Sequence, residues 1–277
     1  MWYGRFAALV AAGVLTSCSS SGPELLRDGA RLIDEGNYAA AVRKLEGARD
    51  QLPQVAAVWN HLGVAYHGNG QAAEAVQAYT QALALDRNLA AARFNLGCLR
   101  LEQGQFTQAV GELTTFTGLQ PKTVEGWIKL SAAQTGARLP DAAERSLQSA
   151  LKLDPSNADA WNRLGLLHWN RRRVRDAQTA FESALRHRPD SADALLNLAV
   201  LHHAQPGDRT MAVAFYRKYL SLTPRRGLRR RSGDVRQLET ELAPVPRRRW
   251  CPLHRRTLSR PMRAFRQNHR PRPHRQL

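Results

Sequence analysis

Residues 56–89 read AAVWNHLGVAYHGNGQAAEAVQAYTQALALDRNL, and the spacing of their apolar and small residues decides the fold. Trp59, Leu62, Gly63 and Tyr66 fall on one face at helical intervals, and Ala75, Tyr79, Ala82 and Leu83 on a second. Asn69-Gly70 between them is turn chemistry, so the stretch reads as helix, turn, helix. Steps of 34 residues outward meet the same pattern again. Counted from Gly22, the preceding copy holds Gly36, Tyr38, Ala41, Leu45, Ala48 and Pro53. The next holds Leu96, Gly97, Gly104, Phe106, Ala109, Leu113 and Pro121. A fourth carries Trp127, Leu130, Ala143, Leu147, Ala150, Leu151 and Pro155, and a fifth Trp161, Leu164, Gly165, Ala177, Phe181, Ala184, Leu185 and Pro189. A sixth, from Ala192, keeps Leu195, Leu198 and Ala199, slips one residue at Pro206-Gly207-Asp208, then resumes at Ala212, Tyr216, Leu220 and Pro224. A period of this length means a stacked array rather than one globular core. Proline closes most copies, where the second helix must stop.

Within each copy, the glycine or alanine at the eighth slot is expected to face a small residue of the partner helix, letting the two approach. The aromatic at the fourth slot is expected to fill the gap beside it. The length and pattern resemble the tetratricopeptide repeat, with units at 22–55, 56–89, 90–123, 124–157, 158–191 and 192–225. Departures are Leu25 and Asp28 in the first unit, Ser131 and Arg138 in the fourth, and the insertion in the sixth. End units are expected to act as caps. The resemblance implies an all-α, right-handed superhelical solenoid that binds peptides or partner helices on its concave face and has no chemistry of its own. In that family slots 5, 9 and 12 of each first helix line the face. Carried over, they are Leu26, Ala30 and Ile33; Asn60, Val64 and His67; Phe94, Cys98 and Leu101; Ile128, Ala132 and Thr135; Asn162, Leu166 and Trp169; and Leu196, Val200 and His203. This lining is largely apolar, with Asn60 and Asn162 expected to hold a peptide backbone. It has none of the Lys or Arg that family members place there to clamp an acidic C-terminus, so it suits an extended apolar segment or an amphipathic helix.

Residues 1–17 read as an export signal. Arg5 precedes an apolar or small run from Phe6 to Leu15, which spans about 15 Å as a helix, half a bilayer core. Leu15-Thr16-Ser17-Cys18 resembles the lipobox of bacterial lipoproteins. The resemblance implies cleavage before Cys18, acylation of that cysteine, and a short tether over 18–21. Ser19 in place of Asp implies export to the outer membrane, facing the periplasm, in a two-membrane bacterium. Two or three acyl chains would hold the protein stably.

Net charge is +18. Residues 225–277 hold seventeen Arg and no Lys against Asp234, Glu239 and Glu241, which is +14, so the remainder is only +4. Val235, Leu238 and Leu242 keep helical spacing, so residues 226–243 are expected to include a short capping helix. Residues 244–277 are rich in Arg, Pro and His, have no acids and no apolar periodicity, and are expected to be disordered. Three readings fit this tail: an arm for nucleic acid or anionic lipid, a solvated tail, or the product of a GC-rich gene read out of frame. Export disfavours nucleic acid. Arg171-Arg172-Arg173 with Arg175 reads as a solvated loop in the fifth unit.

No catalytic motif is present, and neither an enzyme activity nor a small-molecule substrate is expected. Gly68-Asn69-Gly70-Gln71-Ala72-Ala73 fits a dinucleotide motif only formally, because a helix rather than a strand precedes it. Cys18, Cys98 and Cys251 do not have the spacing of a metal site or disulfide framework, and no cofactor is expected. His168 and His202 share a slot and read as packing residues, Trp59, Trp127 and Trp161 as core. The expected function is a lipid-anchored scaffold that holds a protein partner. By architecture alone it resembles the pilotins of pilus secretin assembly and the envelope adaptor lipoproteins that recruit cell-wall hydrolases. The alternative is polyanion binding through the Arg-rich tail.

Overall fold

A computed structural model describes residues 21–222 apart from Pro206. The export signal, Cys18, the helix expected within 226–243 and the tail 244–277 lie outside the described residues. Twelve helices form six antiparallel pairs, and no strand occurs among the described residues. The first helices are α1 (Gly22–Asp34), α3 (Ala56–Gly68), α5 (Ala90–Glu102), α7 (Val124–Gly136), α9 (Ala158–Asn170) and α11 (Ala192–His203). The second helices are α2 (Tyr38–Gln51), α4 (Ala72–Leu85), α6 (Phe106–Leu119), α8 (Pro140–Leu153), α10 (Val174–His187) and α12 (Arg209–Leu222). Each pair packs together, and each second helix packs on the next first helix, so the chain stacks as a solenoid.

In the first five repeats the turn inside each pair depends on one backbone position. Gly36, Gly70 and Gly104 sit at slot 15 with positive φ, and the residue after each returns its N–H to the carbonyl five back, as Gln71 does to Tyr66 at 2.8 Å. In the fourth and fifth repeats this left-handed slot is occupied by Arg138 (φ 61°) and Arg172 (φ 60°), with the same hydrogen bonds. A side chain there costs about 1 kcal/mol.

The eighth slot does not face a small residue, as the sequence pattern suggested. A Cβ on Gly29, Gly63, Gly97 or Gly165 would come within 2.4–2.7 Å of Leu45, Tyr79, Leu113 or Phe181 respectively, the large side chain at slot 24 of the partner helix. The glycine makes room for bulk rather than for a second small residue. Those slot-24 side chains, with Leu147, also join the repeats. Each clusters with slots 7 and 10 of the next first helix: Leu113 with Leu130 and Ala133, Leu147 with Leu164 and Leu167, Phe181 with Leu198 and Leu201. This recurrent wedge is the core.

The slot-4 tryptophans also tie the repeats together. The indole N–H of Trp59, Trp127 and Trp161 donates to the carbonyl of Pro53, Pro121 and Pro155, at 2.7, 2.9 and 2.8 Å. Each bond spans the loop from the preceding repeat. In the third repeat Arg93 occupies the slot, and its guanidinium donates to the equivalent carbonyl of Arg87 at 3.1 Å and pairs with Glu112 at 2.6 Å. A different side chain thus supplies the same donor at the same place.

Candidate functional site: the concave face

The first helices stand side by side, with α1 against α3, α3 against α5, α5 against α7 and α9 against α11. Slots 5, 9 and 12 lie three to four residues apart and so share one side of each helix. Their environments differ sharply along the array. In repeats 1 to 3, Leu26, Ile33 and Val64 pack on the core, and Phe94 lies against Phe116 (ring centroids 4.9 Å apart) in the cluster that also takes Leu101. In repeats 5 and 6, Leu166 and Val200, both at slot 9, are 38% and 43% exposed. Trp169 and Leu196 beside them are half-buried.

Three residues assigned to the lining are used elsewhere. Asn60 and Asn162 are buried, and their side-chain oxygens accept from the Nδ2 groups of Asn95 (3.1 Å) and Asn197 (2.9 Å) in the following repeat. They bridge adjacent first helices instead of presenting an amide to a peptide. Ile128 is buried with Leu147, Leu164 and Leu167 between repeats 4 and 5. Asn95 and Asn197 both occupy slot 6. That Asn recurrence, one repeat on from Asn60 and Asn162, was the signal for the pairing in the sequence.

Sequence reading also missed an acidic rim. Slots 2 and 13 continue the stripe of slots 5, 9 and 12, and in repeats 4 to 6 slot 2 holds Glu125, Asp159 and Asp193. Asp159 is paired with Arg163 at 2.8 Å. At slot 13 of repeat 3, Glu102 meets His67 Nε2 at 2.9 Å across α3 and α5. Across slots 2, 5, 9, 12 and 13 of all six repeats the residues include five acids and no Lys or Arg.

The remaining chemistry-bearing groups are mostly buried or paired. Burial pushes the Cys98 thiol up to about 11, which favours its neutral form. Tyr66 donates to Glu46 at 2.8 Å, and burial pushes its hydroxyl up to about 12. His168 and His202 are both buried. Burial lowers the pKa of His168, and His202 stacks on Phe215 at 5.5 Å and meets Asp208 at 3.3 Å. Among the described residues no three His, Cys, Asp or Glu side chains gather as metal ligands, and no helix is long and apolar enough to cross a membrane. Only part of the arginine run is solvated: Arg172 and Arg175 are exposed, whereas Arg171 and Arg173 are tied to the preceding repeat. Arg171 pairs with Asp141 (2.6 Å) and Glu144 (2.9 Å), and Arg173 with the same Glu144 (3.0 Å), which clamps the fifth repeat's turn to α8 of the fourth.

The family model for the cilia and flagella-associated protein 70 C-terminal domain, a tetratricopeptide-repeat domain, matches residues 24–243. The chain belongs to this family. Among solved structures, a tetratricopeptide repeat protein from Parabacteroides merdae superposes with a TM-score of 0.68 at 20% identity, covering 80% of this chain and 88% of that one. PilF from Pseudomonas aeruginosa gives 0.64 at 20% identity, covering 79% and 97%. YrrB, described as a TPR protein with an unusual peptide-binding site, gives 0.54 at 18% identity, covering 69% and 97%. At these identities the likeness is one of fold. Comparison with curated protein sequences finds no match.

Proposed function

We propose that this tetratricopeptide-repeat chain is a non-catalytic scaffold that holds an apolar or amphipathic segment of a partner protein against the concave face of repeats 5 and 6. The carrying observation is the pair Leu166 and Val200. They stand exposed one repeat apart at slot 9, where Val64 and Cys98 of the second and third repeats are half-buried, and the half-buried Trp169 and Leu196 lie beside them. With about two-fifths of each side chain still exposed, the two would each gain roughly 0.6–1.3 kcal/mol on complete burial. Glu125 and Asp193 at the rim favour a segment with basic side chains flanking its apolar ones. Membership of a repeat family and the recurrence of the fold in a protein described by its peptide-binding site support a binding role. The lipobox-like quartet ending at Cys18 supports anchoring at the envelope, on the outer membrane facing the periplasm. The likeness to pilotins and cell-wall adaptors is one of architecture.

The test uses the full chain carrying Leu166→Glu and Val200→Glu. Both side chains are exposed, so the expected change in stability is within about 0.5 kcal/mol. A protein captured from detergent-solubilised envelope by the wild type and lost by an equally stable variant supports the reading; retention by the variant overturns it. Replacing Cys18 with Ser should abolish incorporation of labelled fatty acid. The second reading rests on the +14 segment 225–277. Polyanion binding through it should fall steeply with salt and vanish on its removal, whereas groove binding should survive both.

A further inference from the structure

Away from the concave face, consecutive second helices flank a seam, and one seam is open. Slot 28 of a second helix helps to close it. Leu83, Leu151 and Leu185 hold that slot in the second, fourth and fifth repeats and pack on the core clusters. In the third repeat the slot is Thr117, and Gly118 follows it where the fourth and fifth repeats have Lys152 and Arg186. A Cβ on Gly118 would meet nothing within 4 Å. The missing bulk leaves a cleft of about 540 Å³ between α6 and α8, with Trp127 and Leu130 of α7 in its wall. Ligand sites commonly occupy roughly 300–1,000 Å³.

The cleft is polar at depth. Thr117, Gln134 and Ser146 line it and are only 2%, 8% and 4% exposed. Their hydrogen bonds leave a definite remainder. Ser146 Oγ donates to Gln134 Oε1 at 2.7 Å, Thr117 Oγ1 to the carbonyl of Thr114 at 3.0 Å, and Ser149 Oγ to the carbonyl of Arg145 at 3.0 Å. With those protons committed, the three hydroxyls still offer acceptor lone pairs. The Gln134 amide nitrogen has no partner among the described residues, yet it is not sealed from outside. A donor this deep without a partner is costly unless something accepts from it. Arg145, at the exposed side of the cleft, adds a second donor and has no ion pair among the described residues. No carboxylate lines the cleft. We infer that it binds a neutral sugar. Each sugar hydroxyl accepts and donates from one oxygen, which matches the lone pairs of Thr117, Ser146 and Ser149 beside the N–H groups of Gln134 and Arg145. The C–H face of the ring would lie on Trp127 and Leu130. A cationic ligand would find no acid, and an anionic one only the single exposed Arg145. This inference does not depend on what the concave face binds.

The test titrates isotope-labelled full-length protein with cellobiose and with N-acetylglucosamine, two neutral sugars, and with glucuronate as the anionic comparison. The readout is the amide shifts in nuclear magnetic resonance spectra. Two variants close the cleft. Thr117→Leu installs the slot-28 residue of three other repeats. Gly118→Lys places at an exposed position the residue that the fourth repeat carries there, so it keeps the test valid should Thr117→Leu overpack. At least one neutral sugar should give saturable shifts confined to α6, α7 and α8, and either closed variant that keeps the wild-type fold should bind it at least tenfold more weakly. Absence of saturable shifts with both neutral sugars would overturn the inference. So would binding that is unchanged in the closed variants, which would put the site elsewhere, or tighter binding of glucuronate, which would make the cleft an anion site built on Arg145.

Discussion

The N-terminal three repeats and the C-terminal three are built on one period and use it differently. Repeats 1 to 3 follow the packing rules closely. Gly36, Gly70 and Gly104 take the left-handed slot, Gly29, Gly63 and Gly97 admit a large neighbour, and Leu26, Val64 and Phe94 pack inward. Repeats 4 to 6 break those rules one at a time. Ser131 and Ala199 replace the eighth-slot glycine, Arg138 and Arg172 occupy the left-handed slot, and Leu166 and Val200 remain exposed. Departures from a consensus that costs stability to break mark where a sequence answers to something besides folding. On that view the binding surface proposed above would belong to the C-terminal half, with the N-terminal half as its support.

The comparison breaks first if the two halves do not share one packing rule. Gly63 in the first half and Gly165 in the second both face an aromatic ring, with a Cβ placed 2.5 Å from Tyr79 or Phe181. Both rings are buried and have nowhere to move. Gly63→Val and Gly165→Val should each destabilise by about 3 kcal/mol, as overpacking does in a filled core. Denaturant unfolding of the two variants should give the same loss. A much smaller loss for Gly165→Val would mean that the C-terminal half is loosely packed, and its exposed apolar residues would then need no partner to explain them.

The parts of this molecule legible in its sequence were those governed by spacing. The 34-residue period determines how many helices there are and which positions form the recurrent core, such as slots 7, 20 and 24, because both follow from helical geometry applied along the array. The partner of each slot was less legible. The pattern put a small residue opposite the eighth-slot glycine, yet the side chain there is a large one, Leu, Tyr or Phe, because the glycine's lost volume is taken up by bulk rather than shared. Asn60 and Asn162 sit at groove slots, but each has an Asn 35 residues on, and a buried amide satisfies itself locally when it can. Burial depth at slot 9 was invisible in a list of apolar residues. Val64 and Val200 are the same residue in the same slot, and only the packing of the neighbouring helices separates them.

The arginine run sharpens the comparison next. It reads as a solvated surface in isolation, but its partners Asp141 and Glu144 lie in the preceding repeat, 27 to 30 residues back. Glu144 is 17% exposed and receives two guanidinium groups. Glu144→Ala leaves Arg171 and Arg173 to recover their hydration in a half-buried turn, and should cost about 1–2 kcal/mol. The loss should appear as faster hydrogen exchange at the boundary of α8 and α9, with repeats 1 to 3 unchanged. Asp141→Ala, at a 70% exposed carboxylate, should cost little. Equal costs for the two would show that general surface charge, rather than the Glu144 clamp, holds the fourth and fifth repeats together.

The smallest effect concerns the turns. Arg138 holds slot 15 at φ 61° where Gly36, Gly70 and Gly104 hold it in the first half, and the hydrogen bonds closing the turn are the same. Only the steric cost of a Cβ in the left-handed region differs, offset in part by the greater chain entropy that glycine brings to the unfolded state. Arg138→Gly should therefore stabilise by about 0.5–1 kcal/mol, and Gly104→Arg should destabilise by a similar amount. The pair is best read as midpoint shifts of opposite sign in denaturant at constant slope. Arg172→Gly should follow Arg138→Gly, because the charge-paired neighbours Arg171 and Arg173 remain in place. If Arg138→Gly instead destabilises, that arginine makes a contact worth more than its strain. Slot 15 would then join Leu166 and Val200 as a position where the C-terminal half departs from the repeat pattern for a purpose other than folding.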